Sequence, residues 1–120
     1  MYKSIDLYNQ LANNKLFKKS VNFGLKRIKL ALTLLGHPEK RLKNIISVIG
    51  ESGKFTTLIS LKSFIETNKK TVTAHISPSL RDIKERFYMG NRYLSHKEIK
   101  KTIKLIEKLN VPLTIFECLT

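Results

Sequence analysis

A chain of 120 residues is long enough for one domain with a hydrophobic core and too short for two ordinary domains, so any multi-domain enzyme would be incomplete here. Its 23 Lys and Arg exceed its 9 Asp and Glu, and the net charge of +14 favours anionic partners or a strongly solvated surface. The sequence has no bilayer-length apolar run, no secretory leader and no cysteine besides Cys118, which predicts a cytoplasmic protein with one buried, inert thiol.

The positive charge is distributed along the chain. The lysine pairs at 18–19, 69–70 and 100–101 are short, and the sequence has no long basic block with interleaved aromatic residues. This pattern is more typical of a solvated surface than of a dedicated binding site, so we predict no specific nucleic-acid partner and no membrane partner. A basic nucleic-acid-binding domain is kept as an alternative.

The first part of the chain, 1–43, is a predicted helical lead-in. A short helix is expected from Ser4 to about Leu16, and a second helix should end at Gly36 and Pro38. The apolar residues of the second helix recur at helical spacing, at Leu25, Ile28, Leu32 and Leu35.

A strand–loop–helix–strand order follows over 45–76. The β-branched run 45–49 predicts a buried, parallel strand, and the pattern of 54–67 predicts a helix with Leu58, Leu61 and Ile65 on one stripe. A second strand is expected at 71–76. The fold class is therefore α/β, with a P-loop-type βαβ unit behind N-terminal helices.

The remaining segments are a loop and hairpin at 77–94, a helix at 95–110 and the start of another helix at 114–120. The hairpin is expected to turn at Gly90-Asn91. Ser95 with Glu98, and Thr114 with Glu117, have the spacing of capping boxes that open the two helices. We therefore expect a single continuous domain over 1–120.

One motif carries chemistry, the stretch from Gly50 to Thr57, which reads GESGKFTT between the predicted strand and helix. Glycines let backbone N–H groups approach phosphate oxygens, and the helix N-terminus contributes a positive dipole end. Lys54 neutralises phosphate charge, and a nearby hydroxyl can bind Mg²⁺. The pattern departs from the common P-loop because Val48 stands where the first glycine would be and Phe55 separates Lys54 from Thr56. A solvent-exposed Gly/Ser turn before a helix is the alternative.

This loop resembles the GTNGKGST loop of the Mur ligases and their folate-ligase relatives. Three further stretches are similar, in order, to the folylpolyglutamate synthase and dihydrofolate synthase branch. They are FGLKRI (23–28) with LGHP (35–38), SPSL (77–80) with ERF (85–87), and TIFECLT (114–120). The resemblance covers nearly the whole chain and implies an N-terminal fragment of that family's central ATPase domain.

The resemblance implies roles for particular residues. The loop would hold the phosphates of ATP, with Lys54 as the catalytic residue. Three side-chain oxygens would bind Mg²⁺. The implied ATP-binding residues are Gly50, Ser52, Gly53, Lys54, Phe55, Thr56 and Thr57. The implied metal ligands are Thr56, Ser77 and Glu117, and the implied substrate loop is Ser77, Pro78 and Ser79. For Thr56 a helix-capping hydroxyl, and for Glu117 the capping box, are the alternatives.

The implied activity is ATP-dependent addition of L-glutamate to dihydropteroate or a folate through an acyl phosphate. Three positions depart from the family pattern. Glu51 puts a carboxylate beside the phosphates, Phe55 replaces a small glycine, and Ser79 replaces a histidine. Since the family continues well beyond this length, we expect the chain alone to be inactive and the full-length protein to be a monomer. A stand-alone nucleotide-binding module is a further alternative.

Overall fold

The computed structural model describes residues 3–15, 17 and 24–120, and over these ranges it forms a small mixed helix and strand protein. The helices are α1 Lys3–Asn13, α2 Lys26–Leu34, α3 Lys54–Thr67, α4 His96–Glu107 and α5 Ile115–Leu119, and the strands are β1 Thr73–His75, β2 Phe87–Met89 and β3 Arg92–Tyr93. Two 3-10 turns cover Pro38–Arg41 and Ile83–Arg86. The chain divides into two compact units, one comprising the residues up to Asn44 with Lys97–Thr120, the other Ile45–His96.

In the first unit, helices α1 and α4 supply much of the core. Leu7 and Leu11 on α1 are buried four residues apart, and Ile99 and Ile103 repeat that spacing on α4. The predicted helix 4–16 is thus confirmed as a helix that ends earlier, at Asn13. Leu16, Phe23 and the other positions of 18–23 lie outside the described residues.

Helix α2 ends as its sequence predicts. The N–H groups of Gly36 and His37 donate to the carbonyls of Thr33 and Leu32 at 3.0 and 2.8 Å, and Gly36 has a φ of 75°. This is the Schellman arrangement, for which glycine is favoured because it has no Cβ. The predicted apolar stripe is less buried than expected, since the buried residue of α2 is Ala31.

The short α5 helix begins at the predicted capping box. Thr114 accepts a hydrogen bond from the Glu117 N–H at 3.1 Å, and the Glu117 carboxylate accepts from the Thr114 N–H at 2.8 Å. Cys118 is buried, as predicted, and burial raises the pKa of its thiol to about 12. The thiol is therefore protonated at neutral pH and is a poor nucleophile.

The second unit contains a three-stranded antiparallel sheet with the order β1-β2-β3. The predicted hairpin is confirmed, because Gly90 and Asn91 join β2 to β3 with φ values of 61° and 63°. Two successive residues with positive φ form the turn whose twist suits a hairpin. The Asn91 side chain also accepts from the Val72 N–H at 2.8 Å, which fixes the entry to β1.

The predicted parallel βαβ unit is not formed. Segment 45–49 is not a strand, no backbone hydrogen bond joins it to another described residue, and Ile45, Ile46 and Ile49 are 69%, 61% and 92% exposed. A strand requires a neighbouring strand to bond its main chain. The second predicted strand does form, as β1, but its partner is β2 in antiparallel register.

Helix α3 has the predicted bounds and anchors to the sheet through polar contacts. Lys62 pairs with Glu66 at 2.9 Å, its ammonium lies 4.0 Å from the centre of the Tyr88 ring, and the Tyr88 hydroxyl donates to Glu66. Hydrogen bonds from Tyr88 and Lys62 lower the pKa of Glu66. The predicted stripe of α3 is only half-buried.

Candidate phosphate-binding loop

The loop before α3 depends on two glycines. Gly50 has a φ of 151° and Gly53 a φ of 74°, a region that residues with a Cβ rarely adopt. Gly53 is the N-cap of α3, and Lys54 is the first helical residue. The glycines of the motif are thus required by the backbone course of the loop, which delivers the chain directly into the helix.

The N-terminus of α3 presents backbone donors that the helix itself does not use. Its first backbone hydrogen bond runs from the Thr57 N–H to the Gly53 carbonyl at 2.9 Å, and no side chain caps it. The first turn carries no acidic residue. The N–H groups of Lys54, Phe55 and Thr56 therefore precede the helical bonding pattern at the positive end of the helix dipole.

The Lys54 ammonium lies over the loop that precedes it. It donates to the carbonyls of Gly50 and, at 2.8 Å, Glu51. This folded-back position keeps one positive charge beside the loop, and the carbonyls can be exchanged for stronger anionic acceptors. Ser52, Thr56 and Thr57 are exposed, and the Phe55 side chain is 41% exposed.

The predicted substrate loop is held by groups from the turn that follows it. Arg86, which is 7% exposed, donates from Nη2 to the Ser77 hydroxyl oxygen. The Glu85 carboxylate accepts from the N–H groups of Leu80 and Arg81 at 2.7 and 3.2 Å, and these bonds lower its pKa. Pro78, after a cis peptide bond, is exposed, and Ser79 is half-buried.

Glu117 is engaged within the first unit. Arg27 donates from Nε to Oε2 at 3.1 Å and from Nη2 to Oε1 at 2.9 Å, and Oε2 also accepts from the Thr114 N–H. Burial raises the pKa of Glu117, but the bonds from Arg27 and Thr114 outweigh burial and the pKa is lowered. The structure thus bears out the capping-box alternative for this residue.

The three predicted metal ligands differ in their surroundings. Thr56 is exposed, whereas the Ser77 and Glu117 oxygens each accept a hydrogen bond from an arginine. A guanidinium at hydrogen-bond distance opposes binding of a divalent cation to the same oxygen. The described residues include no group of three or more His, Cys, Asp or Glu placed to hold a metal ion. Of the three side chains, only Thr56 could bind Mg²⁺ without first losing a contact to an arginine guanidinium.

Arg27 and Arg86 are structural partners that local sequence reasoning missed. Both arginines lie in stretches that resemble the folate-ligase branch, namely FGLKRI and ERF. That resemblance is the only feature of the sequence that points to them. Their partners, Glu117 and Ser77, are 90 and 9 residues away along the chain. No helical or strand periodicity predicts such pairs.

No family model, curated protein or solved structure matches this chain. Within the described ranges, none of the helices has the length and apolar content that a bilayer crossing requires. Because the comparisons found no match, phosphate binding by the loop and membership of the ligase family stay predictions.

Proposed function

We propose that the loop from Gly50 to Thr57 binds the phosphates of ATP, and that the chain is the phosphate-binding part of an ATP-dependent ligase of the folylpolyglutamate and dihydrofolate synthase type. The observation that supports phosphate binding best is the N-terminus of α3, where uncapped backbone donors and the Lys54 ammonium occur together. Donors and positive charge at one helix end are what a polyphosphate requires. The sequence resemblance alone supports the ligase class.

Lys54 would release its bonds to the loop carbonyls and donate to phosphate oxygens. Its present acceptors are neutral carbonyls, so the exchange replaces neutral acceptors by charged ones, which form stronger hydrogen bonds. The N–H groups of Phe55 and Thr56 would supply further donors. Both residues are exposed, Phe55 by 41%.

Mg²⁺ would be bound by the Thr56 hydroxyl. Mg²⁺ keeps several waters and takes few protein oxygens when it accompanies a nucleotide, so one hydroxyl and the phosphates suffice. When bound, the ion neutralises phosphate charge. Glu117 and Ser77 would serve instead to hold their own segments through the arginine contacts.

The reaction would transfer the γ-phosphoryl group of ATP to a carboxylate of dihydropteroate or a folate. The amino group of L-glutamate would then attack the acyl carbon, forming an amide and releasing phosphate. Such a transfer needs positioning and charge stabilisation more than a side-chain nucleophile. Lys54 and the loop N–H groups would supply that stabilisation.

The test is a titration of the full chain with a fluorescent ATP analogue in Mg²⁺. Lys54→Ala should weaken binding by about 10- to 100-fold, the loss expected for a hydrogen bond to a charged acceptor. Lys70→Ala is the matched control, since Lys70 is exposed in the same unit and its removal changes the charge equally. Equal losses in both variants would contradict the site.

A second assay separates the ligase from a nucleotide-binding module. The chain is incubated with ATP, L-glutamate and either dihydropteroate or tetrahydrofolate, and glutamylated product is measured by mass spectrometry. Product that disappears in Lys54→Ala supports the ligase. Because the chain alone is expected to be inactive, absence of product is judged together with acceptor binding. Tight ATP binding without ATP-dependent binding of dihydropteroate or tetrahydrofolate would favour the module.

A further inference from the structure

Helix α4 carries four lysines on one face, here termed the lysine stripe: Lys97, Lys101, Lys104 and Lys108. At 100° and 1.5 Å per residue, their spacing places them within about 60° around the helix axis and over roughly 16 Å along it. Lys108 follows the last residue of α4, and its N–H still donates to the Lys104 carbonyl at 3.4 Å. The helical course therefore extends through all four.

The lysine stripe is exposed and uncompensated. All four side chains are exposed, and within the described part of the chain none of them forms an ion pair. The nearby Glu107 accepts a hydrogen bond from Asn14 at 2.6 Å and so serves the contact between α1 and α4. Like charges spaced four residues apart destabilise a helix by repulsion. A bound polyanion would relieve that repulsion and stabilise α4.

The opposite face of α4 is committed to the core of the first unit. Ile99 and Ile103 are 3% and 7% exposed, so the apolar face of this helix is not available to enter a bilayer. Leu105, which is 52% exposed, lies beside the stripe, but a single leucine is not the aromatic or arginine anchor that dominates protein–protein interfaces. These two facts favour a partner that is recognised by charge alone.

The spacing of the lysine stripe suits a densely charged phosphate backbone. Lysine is a compact point charge that binds phosphate without a two-pronged geometry. Duplex DNA offers about one negative charge per 1.7 Å of its axis along the roughly 16 Å that the stripe covers. Lysine has neither the amide that reads adenine nor an aromatic ring that stacks on bases, so four lysines in a row favour contacts to phosphates over base readout. We propose that the lysine stripe binds the phosphate backbone of nucleic acid without reading its sequence.

This proposal is independent of the ATP loop and is tested by salt dependence. The full chain is titrated into a fluorescein-labelled DNA duplex of arbitrary sequence, by anisotropy, across a series of salt concentrations. Changing the four stripe lysines to Gln should flatten the slope of log K against log salt by about 3 to 4, since each phosphate contact contributes about 0.9. From the same salt slope, the affinity for the duplex near 0.1 M salt should fall by at least about tenfold.

The matched control removes the same charge elsewhere. Changing Lys26, Lys40, Lys43 and Lys70 to Gln also removes four exposed positive charges, outside the stripe. This control should change the slope by less than about 1. Helix content measured by circular dichroism should be the same in both variants, because all eight substituted side chains are exposed.

Three outcomes would overturn the proposal. Equal slope changes in the stripe and control variants would show that total charge, and not the stripe, binds the duplex. Stripe-dependent binding that is stronger to phosphatidylserine vesicles than to DNA would assign the surface to membranes. Equally tight, stripe-dependent binding to poly-glutamate would remove the preference for phosphate.

Discussion

The two polar loops of the second unit, 50–54 and 77–86, use their hydrogen-bonding groups differently. In 77–86, Arg86 and Glu85 bind the hydroxyl and N–H groups of the loop itself. In 50–54, Lys54 contacts two carbonyls, and the donors at the start of α3 have no side-chain cap. Internally satisfied groups hold a loop in one conformation, whereas exposed donors bond to water and can exchange that water for a ligand. This is the difference expected if the first loop binds a ligand, as proposed, while the second, here termed the framework loop, holds its own conformation.

The largest effect should come from breaking the framework loop. Arg86→Ala removes a buried guanidinium and leaves the Ser77 hydroxyl without that donor, so the free energy of unfolding should fall by about 2–3 kcal/mol. Urea unfolding measures the loss. Arg81→Ala, an exposed side chain of the same loop, should change stability by less than about 0.5 kcal/mol. Similar losses in the two variants would mean that the contact between Arg86 and Ser77 does not stabilise the loop.

Glu117, in the first unit, is another group whose hydrogen bonds are satisfied within the protein, by Arg27 and Thr114. Its pKa is lower in the folded protein than in the unfolded chain, so the carboxylate stabilises the fold above the unfolded pKa and loses that effect as pH falls through the folded pKa. Glu117→Gln should cost about 1–2 kcal/mol at pH 7. The difference from wild type should shrink below about pH 4.

The control for Glu117 is Glu51→Gln, since Glu51 is exposed and lies in the candidate phosphate-binding loop. It should leave the free energy of unfolding within about 0.5 kcal/mol of wild type. Thermal melts of both variants from pH 7 to pH 3 measure the effects. A Glu117→Gln variant as stable as wild type at pH 7 would mean that the pairing with Arg27 contributes nothing to the fold.

Substitution of two glycines with the same backbone conformation separates the effect of backbone strain on stability from an effect on ATP binding. Gly53 and Gly36 have φ values of 74° and 75°, and an added Cβ at either would meet no atom within 4 Å. Each Gly→Ala change should therefore cost about 1 kcal/mol of stability through φ alone. Only Gly53→Ala should also weaken ATP binding. Equal ATP affinity in the two variants would show that the Gly53 turn has no part in the site.

Local signals in the sequence predicted local structure well. The bounds of α3, the turn at Gly90-Asn91 and the capping box of Thr114 and Glu117 all arise from residues close together in the chain. Caps and tight turns depend on a few neighbouring side chains and dihedral angles, so a single sequence carries enough information for them.

Long-range partners were not predictable from the sequence. The apolar, β-branched run 45–49 has the composition of a strand, but strand formation depends on a neighbour that composition does not specify. The arginine contacts of Ser77 and Glu117 likewise depend on tertiary packing. For this reason the caps and the hairpin turn were predicted correctly and the parallel sheet was not, whereas the phosphate loop and its metal ligands stay predictions.

The most direct measurement is a ¹⁵N–¹H NMR titration of the chain with ATP and Mg²⁺. The backbone N–H signals of Lys54, Phe55 and Thr56 should shift in proportion to occupancy, while those of Leu80 and Arg81, already bonded to Glu85, should stay in place. Unchanged signals at the start of α3 at saturating ATP, or shifts confined to other segments, would contradict the assignment of this helix end as the phosphate site.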